Sequence, residues 1–266
     1  TLTVSESYLT NNKFGTPAPG NGGALHISGV ATINFNGGEV SGNVAPSEGG
    51  GLWNQAGSTM TVSGTLITNN TANGSDADNG GGGIFNNGGT LNVDSNAMIT
   101  NNLVDGASAS GGGILSTDGD VTVTGSTIDG NTANRAGGAI ELIDGTLTVS
   151  ESYLTNNKFG TPAPGNGGAL HISGVATINF NGGEVSGNIA ASEGGGLWNQ
   201  VGSTMTVSGT LITNNTANGD AADNGGGGIF NNGGTLNVDS NAMITNNLVD
   251  GASASGGGIL STDGDV

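Results

Sequence analysis

Thr59-Met60-Thr61-Val62-Ser63-Gly64-Thr65-Leu66-Ile67-Thr68-Asn69-Asn70-Thr71-Ala72, followed after a polar loop by Gly81-Gly82-Gly83-Ile84-Phe85-Asn86, holds the signals that decide the fold. Met60 and Val62 alternate with threonine, which is the pattern of a strand with one buried face. Leu66 and Ile67 open a second apolar run that ends on Asn69-Asn70. The first asparagine of that pair belongs to the residue types that most readily accept positive φ, so the chain is expected to bend there in the left-handed region. Ile84 then starts a third strand after the glycines. One turn of a solenoid is written in about thirty residues.

The same signals recur along the chain. The Gly-Gly-[Ala/Gly]-[Leu/Ile] marker begins at Gly22, Gly49, Gly81, Gly111 and Gly137 and starts again at Gly167, with spacings of 26 to 32 residues. The asparagine after the bend recurs at Asn12, Asn43, Asn70, Asn102, Asn131, Asn157, Asn188, Asn215 and Asn247. A larger period lies over this one. Residues 1–121 return as 146–266 with an offset of 145, and only Val44/Ile189, Pro46/Ala191, Ala56/Val201, Ser75/Asp220 and Asp76/Ala221 differ. Residues 1–145 therefore form a first five-coil unit, and residues 146–266 a second, truncated one, within one continuous solenoid.

These observations predict an all-β, right-handed parallel β-helix with three short strands per coil and about nine coils. The right-handed wind is the default for parallel crossovers. Nine coils at about 4.8 Å would give a rod about 43 Å long. The column of asparagines is expected to stack as a ladder, each amide bridging the coils above and below. Loop length should vary at one corner, where Lys13 to Asn21 and Asn73 to Asn79 are the longest connections.

Glycine supplies 55 of 266 residues, a composition that by itself resembles a disordered tract, but the strand periodicity argues for a folded array. The formal charge of −18 rests on 21 acids against Lys13, Arg135 and Lys158, so a phosphate backbone would be repelled and nucleic acid is not an expected partner. Cysteine is absent, which removes disulfides and thiolate metal sites. No apolar run approaches the roughly 20 residues of a membrane span. Thr1 opens in mid-strand and Val266 stops at the start of one, so the chain is expected to be a window on a longer array, with any anchor or targeting segment outside it.

The run from Ile67 to Ala72, with Gly81 to Asn86 after it, resembles the repeats of the polymorphic outer-membrane proteins of chlamydiae and related bacterial right-handed β-helix surface proteins. Those families combine a Gly-Gly-Ala-Ile type motif with a Phe-x-x-Asn type motif. The first matches closely over essentially the whole chain. The second carries Leu, Val or Ile in place of its Phe, as at Leu9, Val40 and Ile67. The resemblance implies an extracellular or cell-surface, adhesin-like module.

Candidate chemistry is sparse. Asp118, Asp120, Glu141 and Asp144 fall near one corner of two successive coils, where Asp118, Asp120 and Asp144 are candidates for Ca²⁺, and the cluster could serve as the paired carboxylates of a polysaccharide-cleaving enzyme with Arg135 nearby. Asp118-Gly119 and Asp144-Gly145 read first as turn formers, which is the favoured reading of these positions. Asp76-Ala77-Asp78 becomes Ala221-Ala222-Asp223 in the second unit, which argues against a shared ligand set. His26 and His171 each lack a second ligand at metal spacing and read as solvated strand residues. No metal or cofactor is assigned.

Two outward columns remain. Trp53, Phe85 and Leu115, repeated as Trp198, Phe230 and Leu260, are expected to form an apolar stripe that binds sugar rings, meets a neighbouring rod or lies under the corner loops. Thr1/Thr3, Thr32/Asn34, Thr59/Thr61, Thr90/Asn92 and Thr122/Thr124 form a hydroxyl-rich face that could order water against ice. The expectation favoured by the near-perfect duplication is a non-enzymatic structural or adhesive module of a long surface protein or filament, partnered by further repeats or copies of itself, with cell-surface glycans as further candidates. A polysaccharide-binding or polysaccharide-cleaving solenoid is the alternative, and an ice-binding face the third.

Overall fold

The computed structural model describes residues 1–14, 20–159 and 165–266, so the middle of the Lys13 to Asn21 loop and its counterpart lie outside the described residues. The alternating segments fold as expected, each with its apolar members turned inward. Leu2–Ser5, Thr32–Asn36, Thr59–Ser63 and Thr90–Asp94 begin a nine-stranded sheet, here sheet A, that runs to Thr235–Asp239. The three-residue strands from Tyr8–Thr10 to Met243–Thr245 build sheet B, also of nine. The strands after the glycines, from Leu25–His26 to Ile259–Thr262, form the nine strands of sheet D. Neighbouring strands in each sheet are one coil apart and parallel.

A fourth sheet corrects the expected three strands per coil. Two-residue strands such as Val44–Ala45, Thr71–Ala72 and Leu103–Val104 pair into the eight-stranded sheet C, directly after the ladder asparagines. Two residues present no alternation, so nothing in their pattern marks them as a strand. The expected nine coils are corrected too. The register carries Leu2 through Ile33, Met60 and onward to Leu236 in about eight turns. Among the described residues there is no helix, and hence none that could cross a membrane.

All nine bends before the ladder asparagines adopt positive φ, from 54° at Asn101 to 66° at Gly130. The glycine pair has a different reason at each position. Gly111 turns the chain with φ 68°, while a Cβ on Gly112 would fall 2.4 Å from the Gly138 carbonyl oxygen and 2.6 Å from the Thr132 carbonyl carbon of the next coil. Sheets C and D approach each other here across coils at a distance that admits no side chain. The marker recurs because every coil makes the same corner.

Inward residues of sheets A, B and D merge into one core extending from Ile33 to Leu236. The seam between the two units is not a boundary in it. Val121 pairs with Leu147 and Val123 with Val149 in sheet A, Ile128 with Leu154 in sheet B, and Ile140 with Leu170 in sheet D. All eight are buried.

Candidate functional site

The asparagine column runs through the core edge as a hydrogen-bonded chain. Asn131 donates from its backbone N–H to Asn157 Oδ1 at 3.0 Å, and its Nδ2 donates both to the same oxygen at 3.0 Å and back to the Ile99 carbonyl at 2.9 Å. Asn102 does the same toward Asn131 and Ile67. The pattern holds from Asn12, whose N–H and Nδ2 reach Asn43 Oδ1, to Asn215, which reaches Asn247. Each buried amide is thereby saturated, as burial of a polar group requires.

Sheet D carries the column that decides the rest. Register places His26, Trp53, Phe85, Leu115, Glu141 and His171 at successive outward positions, with Trp198, Phe230 and Leu260 completing the series. Of the readings open for the stripe, burial under loops is the one that fits: Trp53 is only 6% exposed, Phe85 3% and Leu115 0%, and the three form a small cluster of their own outside the main core. Trp198 and Phe230 are buried to the same degree, while Leu260 is half-buried.

The corner loops account for the covering. Glu48, on the loop just before Trp53, accepts the Trp53 Nε1–H at 3.1 Å and also accepts from Asn21 at 3.0 Å and Asn79 at 3.0 Å, tying three successive loops together over the stripe. Glu193 repeats this with Trp198, Asn166 and Asn224. Stacking continues along the column, with His26 4.4 Å from Trp53 and Trp53 6.1 Å from Phe85.

At the seam this apolar column turns polar. Glu141, with no exposed surface, meets His171 of the following coil, whose Nδ1 lies 2.9 Å from Glu141 Oε2. Arg135 donates from Nη2 to Glu141 Oε1 at 3.3 Å and to Ser173 Oγ at 3.2 Å, and from Nε to Ser110 Oγ at 2.9 Å. Ser173 Oγ also donates to Glu141 Oε1. His171 stacks on Trp198 at 4.4 Å. The solvated reading of His171 is therefore overturned: it is 6% exposed and paired, whereas His26 in the first coil is exposed.

This constellation is not a nucleophilic relay. Ser173 Oγ lies 3.4 Å from His171 Nδ1, the same nitrogen that meets the carboxylate, whereas a relay needs hydroxyl and acid on opposite ring nitrogens. What the four side chains do is satisfy one another where a charge is buried.

A second polar column, not anticipated, lies beside the first. Asn54 Nδ2 donates to Asn86 Oδ1 at 2.8 Å and Asn86 Nδ2 to Ser116 Oγ at 3.0 Å, repeated by Asn199, Asn231 and Ser261. At the seam these positions become Leu142 and Ile172, which pair with each other. The two columns exchange polarity together: Trp-Asn, Phe-Asn and Leu-Ser in the middle coils give way to Glu-Leu and His-Ile at the junction. Asn199 Oδ1, in the coil after Ile172, is buried without a partner, which marks where the ladder stops against an apolar coil.

The acidic corner is not brought together with Glu141. Asp118 and Asp144 sit in turns with φ 53° and 59°, and Asp144 Oδ1 accepts the Val175 N–H at 2.6 Å. Asp120 is exposed on sheet A between Thr90 and Thr146, which places Thr122 rather than Thr124 opposite Asn92 and Thr148. Among the described residues no three His, Cys, Asp or Glu side chains converge as a metal site. No family model, curated protein or solved structure matches this chain.

Proposed function

We propose that the chain is a structural and adhesive extracellular module, a rod segment of a long repetitive surface protein or filament, wound right-handed as parallel crossovers favour. The observation that supports this reading most is the continuity of the seam, where the ladder passes from Asn131 to Asn157 with the same 3.0 Å spacing as within a unit. Adding a unit adds coils and leaves the earlier ones unchanged, which is the behaviour of a spacer. The likeness of the coil to chlamydial surface-protein repeats is what supports a cell-surface position in this reading.

The ice-binding alternative draws on sheet A. Its outward columns, such as Thr32, Thr59, Thr90 and, in the second unit, Thr177, Thr204 and Thr235, present a nearly uncharged row of hydroxyls on an otherwise acidic chain.

Small-angle scattering on chains of one, two and three complete units tests the rod. Five coils at about 4.8 Å should lengthen the particle by about 24 Å per unit at constant cross-section. Growth in cross-section with constant length would mean that units fold back beside one another, and the spacer reading would fail.

A further inference from the structure

We propose that the outer face of sheet A is an ice-binding surface, a function beyond the rod reading and independent of it. Two outward columns make the surface. The first holds threonine in every coil from Thr32 to Thr235 except at Asp120. The second, two residues on along each strand, holds threonine or asparagine throughout, from Asn34 to Asn237. None of these side chains is buried. The parallel register repeats them at about 4.8 Å from coil to coil and about 6.6 Å along a strand, steps close to the oxygen repeats on faces of hexagonal ice.

The polar groups of this face are uncommitted. Among the described residues no side-chain hydrogen bond ties a member of either column to another protein group. Sheet B differs: Thr100 Oγ1 donates to Thr68 Oγ1 at 3.1 Å, Thr245 Oγ1 to Thr213 Oγ1 at 3.3 Å and Thr155 Oγ1 to Asp129 Oδ1 at 2.5 Å. Threonine is stiff at χ1, so each hydroxyl and methyl points in a narrow range of directions and little side-chain freedom is lost when water orders against them. A neutral, extended lattice is the ligand this chemistry fits. A small ligand calls for a concave pocket with convergent polar groups, whereas these columns run side by side along the rod. Sugar-ring stacking calls for aromatic rings, and Phe35 and Phe180 of this sheet are buried in the core. Charge is also kept off the columns. On a chain with 21 acids, Asp120 is the one charged residue in them, while Asp94 and Asp239 stand at strand ends outside them. Asp120 therefore divides the array into a stretch that ends at Thr90 and one that begins at Thr146.

The test uses the full chain, read by nanolitre cryoscopy and by partition of the dye-labelled protein into slowly growing ice, with circular dichroism confirming the fold of each variant. The chain is expected to show thermal hysteresis and to concentrate in the ice. Asp120→Thr joins the two stretches into one array and should raise the hysteresis about twofold or more at equal concentration. Thr148→Tyr and Thr206→Tyr each raise a ring above the plane and should remove most of it. Thr127→Tyr is the control, since its column on sheet B already carries Tyr153, and hysteresis should stay unchanged. Exclusion of the parent chain from ice without hysteresis would overturn the proposal. So would equal losses from Thr127→Tyr and Thr148→Tyr, or no gain from Asp120→Thr. Adsorption to insoluble chitin or cellulose without any effect on ice would overturn it too, in favour of a polysaccharide ligand. Scattering on covalently linked units measures the rod separately, so failure of ice binding leaves the spacer reading standing, and failure of that reading appears as a rod that does not lengthen.

Discussion

Replacing Asn131 with alanine is expected to destabilise the rod by about 3–5 kcal/mol, because two buried donors lose their acceptor at once, each at roughly 1–3 kcal/mol. Those donors are the backbone N–H and the Nδ2 of Asn102, 2.9 and 3.0 Å from Asn131 Oδ1. The Ile99 carbonyl also loses the bond from Asn131 Nδ2. Set against a typical total of about 5–15 kcal/mol, such a loss is large. Asn12→Ala is the contrasting case. Asn12 is exposed and donates to Asn43 without accepting from another rung, so its replacement should cost less than about 1 kcal/mol. Guanidinium titrations followed by circular dichroism separate the two. Equal effects at both positions would mean that the ladder contributes nothing beyond ordinary surface hydrogen bonds.

The second large effect belongs to Glu141. Glu141→Leu places a residue that the column already accepts at Leu115, yet it is expected to cost about 3–5 kcal/mol, because a buried pair broken from one side leaves the other uncompensated. His171 and Ser173 lose their acceptor in a buried setting, while Arg135, 30% exposed, can turn toward water. The double variant Glu141→Leu/His171→Phe continues the apolar column and should regain most of that loss, giving a coupling of about 2 kcal/mol or more in a double-mutant cycle. Additive single effects would show that the contact is incidental. The pairing would then specify nothing at the seam.

Much of this architecture is legible in the order of residues, because a solenoid repeats its constraints. The bend at Asn69-Asn70, the alternation of Met60 and Val62 and the glycine corner at Gly81-Gly82 are local signals, and each is present in every coil. The fourth strand is not legible, since Thr71-Ala72 is too short to alternate. The burial of Trp53 and Phe85 depends on loops from three coils meeting at Glu48, and the single local hint is that Glu48 stands five residues before Trp53, as Glu193 does before Trp198.

The seam cluster is the clearest case of information that exists only in register. Glu141 and His171 lie 30 residues apart and carry no shared motif. They meet because one coil in this part of the chain is that long. Asp120 shows the same limit from the other side, since Thr122 and Thr124 look like the outward pair until the strand is seen to start at Asp120. Two nearly identical units thus share one core, and the residues peculiar to the junction lie in the 24-residue stretch 122–145, which occurs once.

Hydrogen exchange across that junction tests the central claim, that the two units form one rod without a weak point. The N–H groups of Asn131 and Asn157, which donate across successive coils at the seam, are predicted to exchange as slowly as that of Asn70, within a unit. Rapid exchange confined to residues 126–160, between two protected blocks, would contradict it and make the chain two separate folding units joined by a hinge.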